Sequence, residues 1–182
     1  MRMGKMPWSR LKQQVESRFA DTLRGRLELH TAHYRHAHDA DGRLWLTIDG
    51  RELVNLCEAR ANRARWKLES ELEAVLAPPD GSSADAAARK QASDQALELT
   101  RKQGILGQAQ AYRALESYLD LAIEDAIASD NVLIRALAMA DRRVGKRRLR
   151  ALRLAPDAHP LVRELYALRC SAEQIACEPP AV

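Results

Sequence analysis

Four of the five histidines fall in one short segment, His30-x-x-His33-x-x-His36-x-His38-Asp39, with Asp41 close behind. Neutral imidazoles and a carboxylate are a donor set for zinc or another divalent ion. A metal with an open coordination position makes its bound water a nucleophile. That chemistry would be a metal-dependent hydrolase built on His30, His36, His38 and Asp39, with a divalent metal as its cofactor. The spacing matches no standard zinc motif, and on a regular strand His30, His36 and His38 project to one face and His33 to the other. The competing reading takes these residues as the wet face and loop of a β-hairpin, with no cofactor. Tyr34 and Arg35 offer an anion contact in the same place.

A second constellation is electrostatic. Between residues 141 and 153 the segment DRRVGKRRLRALR carries seven basic groups and one acidic group, more excess charge than the net +4 of the whole chain. Read as one helix running from Val132 to Leu154, it places Arg142, Arg143, Lys146, Arg147, Arg150 and Arg153 on one broad face, with Val144, Leu149 and Leu152 nearer the apolar side. Arg forms paired hydrogen bonds with phosphate oxygens, and binding to nucleic acid releases counterions. Such a face suits a nucleic-acid backbone or an acidic protein. The alternative is internal pairing, because Glu116, Asp120 and Glu124 form an acidic stripe on the preceding helix.

Other chemistries find little support. The acidic stripe lacks the E-x-x-H partner of a di-metal carboxylate helix. There is no G-x-S-x-G, G-x-G-x-x-G or G-x-x-x-x-G-K segment, and no helix-turn-helix, zinc-finger or aromatic RNA-binding signature accompanies the basic run. Trp8, Trp45 and Trp66 stand on separate elements and read as core or staple residues. Cys57, Cys170 and Cys177 are odd in number and include no C-x-x-C pair, so we expect three reduced thiols, no intramolecular disulfide and a cytoplasmic setting. No stretch approaches the length of a membrane span, and self-association into a homo-oligomer is compatible with everything above.

The elements that must position these residues follow from periodicity. The chain has 182 residues, 46% apolar and 4% aromatic, with Ala and Leu prevailing over Val and Ile, a balance that favours helix. Trp8, Leu11, Val15, Phe19 and Leu23 line one face of a first helix. Leu27 to Thr31 and Leu44 to Ile48 alternate as two antiparallel strands. Asp49-Gly50 either turns the chain into a short third strand, Glu52 to Leu56, or opens the next helix as part of a D-x-x-E cap; we read a strand. A helical stripe from Leu53 to Leu76 ends at Pro78-Pro79. The segment 78–84 is a linker dividing a region 1–77, helix plus sheet plus long helix, from a helical region 85–182. Beyond it come a polar helix from Ala86 to Gln103, a continuous stripe from Leu106 to Ala126, the basic helix, a last helix from Leu161 to Cys177 and a frayed tail. The fold class is α+β, mostly helical: a small antiparallel sheet flanked by helices, then a helical hairpin.

The segments PWSRLKQQVESRFADTLRGRLELH (7–30), YRHAHDADGRLWLTIDG (34–50), RALAMADRRVGKRRL (135–149) and HPLVRELY (159–166) together resemble a family of small uncharacterised bacterial proteins. The resemblance spans both halves of the chain, which implies one unit and a bacterial, cytosolic protein, and it transfers no site residue. The function we read from the residues is non-catalytic binding of an anionic partner.

Overall fold

The computed structural model describes residues 6–34, 42–77 and 85–176. Helix α1, Trp8–Glu16, opens on Pro7 and buries Leu11 and Val15. A single 3-10 turn, Asp21–Leu23, leads into β1, Leu27–His33. Strands β2, Gly42–Ile48, and β3, Arg51–Cys57, complete an antiparallel sheet of order β1-β2-β3. Asp49 and Gly50 both have positive φ, 49° and 80°, the two-residue turn that matches strand twist, so the hairpin reading of Asp-Gly is correct. A bulge between Leu46 and Thr47 sets Thr47 opposite Glu52.

One face of the sheet is apolar. Leu27, Leu29, Leu44, Leu46 and Leu56 are almost wholly buried, whereas Glu28, His30, Arg43 and Trp45 lie on the other face. Strand β1 is an edge strand, and the Glu16 carboxylate accepts a hydrogen bond from its Leu29 N–H at 2.7 Å.

Helices α2, Glu58–Leu76, and α3, Ala86–Lys102, pack against each other on either side of the proposed linker. That linker, 78–84, lies outside the described residues. Helix α2 begins later than its apolar periodicity predicts, because Leu53 belongs to β3 and Val54 to Cys57 pair with β2. The fully buried residues of the two helices are short: Ala61 of α2 and Ala92, Ala96 and Thr100 of α3.

The second half contains α4, Gln108–Asp120, α5, Ile123–Ala128, α6, Val132–Ala140, α7, Lys146–Ala151, and α8, Pro160–Ala172. Every residue of α6 except Arg135 is buried, and α4, α5 and α8 pack around it. The core runs without interruption from Leu11 through the sheet to Ile175, so residues on both sides of 78–84 share it. Mostly helical α+β architecture with a three-stranded sheet is therefore the fold.

Two expected helices are broken, for the same physical reason. The stripe from Leu106 to Ala126 stops at Leu121 and Ala122, both extended, where Arg18 donates to the carbonyls of Tyr118 and Leu119 and Arg143 donates to that of Leu121. The basic helix stops at Asp141, also extended, where Arg169 donates to the carbonyls of Ala140 and Asp141. Carbonyls satisfied by side chains from distant elements no longer need the next turn of helix.

The cysteines also depart from expectation. Cys57 is free, but Cys170 is disulfide-bonded; Cys177 lies outside the described residues. The expectation of three reduced thiols rested on the number and spacing of the cysteines alone, which do not show what the fold brings beside Cys170.

Candidate anion-binding surface

The six cations expected on one helix occupy a turn, a short helix and its exit. Arg142 and Arg143 lie in the turn after α6. Lys146, Arg147 and Arg150 are on α7, and Arg153 follows it. No single helical face unites them.

The turn is built on Asp141, the lone acid of the basic run and fully buried. Its carboxylate accepts from the backbone N–H of Arg143 at 2.8 Å, from Nε and Nη2 of Arg143 at 2.9 and 2.7 Å, and from the Tyr118 hydroxyl at 2.5 Å. Burial, then the neighbouring carboxylate, push the Tyr118 hydroxyl far above the ordinary phenol range, so it serves as a donor. The carboxylate hydrogen bond raises the Arg143 guanidinium in turn. The guanidiniums of Arg18 and Arg143 also lie 5.4 and 5.8 Å from the Tyr118 ring centroid, within cation–π range.

A second buried charge closes the loop from below. Arg169, 3% exposed, donates to Asp141 O at 2.9 Å, to Val144 O at 3.2 Å and to Glu173 at 3.0 Å. Strand-like contacts add to this, since Ala20 N–H donates to Ala140 O and Arg142 N–H to Arg18 O. The Tyr166 hydroxyl donates to Leu149 O and Leu152 O, tying down the end of α7. The segment 141–152 is thus a rigid mount.

On that mount the cations divide into two sets. Arg143 pairs with Asp141, Lys146 with Glu173 at 3.1 Å, and Arg148 with Glu124 at 2.5 Å. The Arg148 hydrogen bond holds the exposed Glu124 carboxyl below its ordinary value. Arg153 donates to the carbonyl of Arg150. Arg142, Arg147 and Arg150 are exposed, and their guanidiniums make no ion pair or hydrogen bond with a described residue. Of the acidic stripe, Glu124 on α5 meets this region, whereas Glu116 on α4 accepts from Met6 N–H, just before α1.

The chain as a whole matches, over residues 7–170, the sequence model of the SF0329 protein family. The chain belongs to the SF0329 protein family. No curated protein and no solved structure matches it. In this SF0329 family member the matched span runs from α1 through α8 as far as Cys170, and so contains the whole mount and every cation on it.

The histidine constellation divides differently. His30 is half-buried on β1, 2.9 Å from Thr47 Oγ1 and stacked on Trp45 at 5.2 Å. Arg43 lies 4.0 Å from the Trp45 ring centroid, so these side chains cover the open face of the sheet. His36, His38 and Asp39 lie outside the described residues, and among the described residues no group of three metal-ligating side chains converges. Trp66 departs from the core role expected of it, being 59% exposed on α2.

Sequence reasoning passed over Tyr118, Asp141 and Arg169 as functional residues. Signals for them existed. Asp141 is the one acid in a basic run, and Arg169 occupies an apolar-stripe position of α8, between Leu165, Tyr166 and Cys170. A cleft of about 420 Å³ also lies between α3, α4 and α6, with Arg101, Arg113 and Asn131 on its wall. Asn131 is already engaged in capping α6.

Proposed function

We propose that the protein binds an anionic partner, nucleic-acid backbone or an acidic protein, through Arg142, Arg147 and Arg150, without catalysis. One observation supports this above all: within a segment whose other cations are engaged, these three guanidiniums are exposed, without a partner among the described residues, on a backbone fixed by Asp141, Arg169 and Tyr166. A backbone that is already fixed need not be ordered when its cations meet phosphates, so only side-chain freedom is lost. Contacts to phosphate position a protein without reading bases, so binding is sequence-tolerant. A bacterial cytoplasm would supply such partners. The bonded Cys170 removes the reduced-thiol argument for that compartment, so a count of free thiols in protein taken from its host belongs beside the binding test.

Three duplex phosphate contacts give a log–log salt slope of about −2.7, at −0.9 per contact. Titration of a fluorescent duplex at several salt concentrations should show that slope. Replacing Arg142, Arg147 and Arg150 with Gln should bring it close to zero while the melting temperature stays put. Glu124→Gln should steepen it by about one contact, since Arg148 is then released. Absence of salt-sensitive binding by the wild type at low ionic strength removes nucleic acid and leaves an acidic protein as the partner.

A further inference from the structure

Helix α2 is covered on one side. Ala61 is buried, and Leu68 and Leu72 are half-buried, on the side turned to α3. On the other side Arg63, Trp66, Ser70 and Glu73 succeed one another at intervals of three, four and three residues. They occupy an arc of about 80° at 3.6 residues per turn, the seam spacing of a coiled coil. Trp66 is 59% exposed at its centre. Arg63 and Glu73 form no ion pair with a described residue. The charge of α2 is also segregated: after Glu58 at its first position, Arg60, Arg63, Arg65 and Lys67 precede Trp66 or adjoin it, and Glu69, Glu71 and Glu73 follow, with Lys67 and Glu71 paired at 3.9 Å.

A helix that is basic in its first half and acidic in its second complements itself when reversed. Setting α2 antiparallel to the α2 of a second molecule, in the register that brings Arg63 to the partner's Glu73, also brings Trp66 to the partner's Ser70. The largest side chain then meets a small one, and each contact occurs twice about a two-fold axis, as an isologous interface requires. We propose that the exposed face of α2 is a homodimer interface, with Trp66 as the anchor and the Arg63–Glu73 pairs fixing register and direction. An acidic or basic partner of a single sign would not match this face, because it would meet like charge along half its length. Trp and Arg are also the residue types that dominate interface energetics.

Sedimentation velocity on the full chain over a wide concentration range tests the proposal. The wild type should move from 20.4 kDa to twice that mass as concentration rises. Trp66→Ala should weaken dimerisation by about 30-fold, the range of a buried hot spot. Arg63→Glu and Glu73→Arg should each weaken it, since each places like charges together, and the combined Arg63→Glu/Glu73→Arg variant should restore it to within a few-fold of wild type. Melting temperatures measured at monomer concentrations should stay within a degree or two of one another. A wild type monomeric at every concentration overturns the proposal. So does a dimer indifferent to Trp66→Ala, a double exchange no better than the single ones, or a monomer that Trp66→Ala unfolds.

Discussion

Asp141 shows how one buried carboxylate organises its neighbours. It has no exposed surface, and its charge is compensated by three donors of Arg143 and the hydroxyl of Tyr118. Its removal leaves the Tyr118 hydroxyl and the Arg143 N–H unpaired, at about 1–3 kcal/mol each and so about 2–6 kcal/mol together, while the Arg143 guanidinium, 32% exposed, regains water. Asp141→Ala should lower unfolding free energy by that amount in urea titration. Tyr118→Phe, which leaves the Arg143 pairing intact, should cost about 1.5–3 kcal/mol. Equal losses in both variants would mean that Asp141 acts through Tyr118 alone. The run of basic residues was plain in the sequence, but its division into paired and unpaired cations was not. That division depends on Glu124 and Glu173, which reach the run only after α5 and α8 have packed around α6.

Among the elements, α8 carries a titratable cap. His159 Nδ1 accepts from Leu161 N–H at 3.1 Å and Nε2 donates to Gln103 O at 3.1 Å, so the folded state uses the neutral ring. Burial, aided by the charges of Arg135 and Arg163 and opposed by the Gln103 carbonyl, lowers the His159 pKa below 6.5. A pKa depressed by folding means that the unfolded chain takes up the proton first. The cap's full contribution is therefore present above pH 6.5 and is lost as pH falls through the folded value. His159→Asn retains a capping side chain that does not titrate. The variant should show a flatter dependence of melting temperature on pH below neutrality than the wild type, and an unchanged dependence would exonerate His159. Strands and helix faces were legible here because periodicity is local: Leu27, Leu29, Leu44 and Leu46 alternate in the chain as they do in the sheet. The breaks after Asp120 and Ala140 were not, since they are made by Arg18, Arg143 and Arg169 from other elements.

For the molecule as a whole, a continuous core joining the sheet to α6 explains why the family match spans 7–170 without regard to the segment 78–84. The sheet within that core ends on β1, whose outward N–H groups could pair with a strand of any other molecule. At Leu29 that vacancy is filled by Glu16, a charged side chain from α1 held at the sheet margin and 3.5 Å from Lys12. Its placement makes α1 a guard against fibrous assembly as well as a core helix. Glu16→Ala opens the margin, and the variant should form thioflavin-positive fibrils after a shorter lag than the wild type on gentle heating, with equal lags refuting the role. The fate of this sheet margin in solution thus depends on one carboxylate of α1.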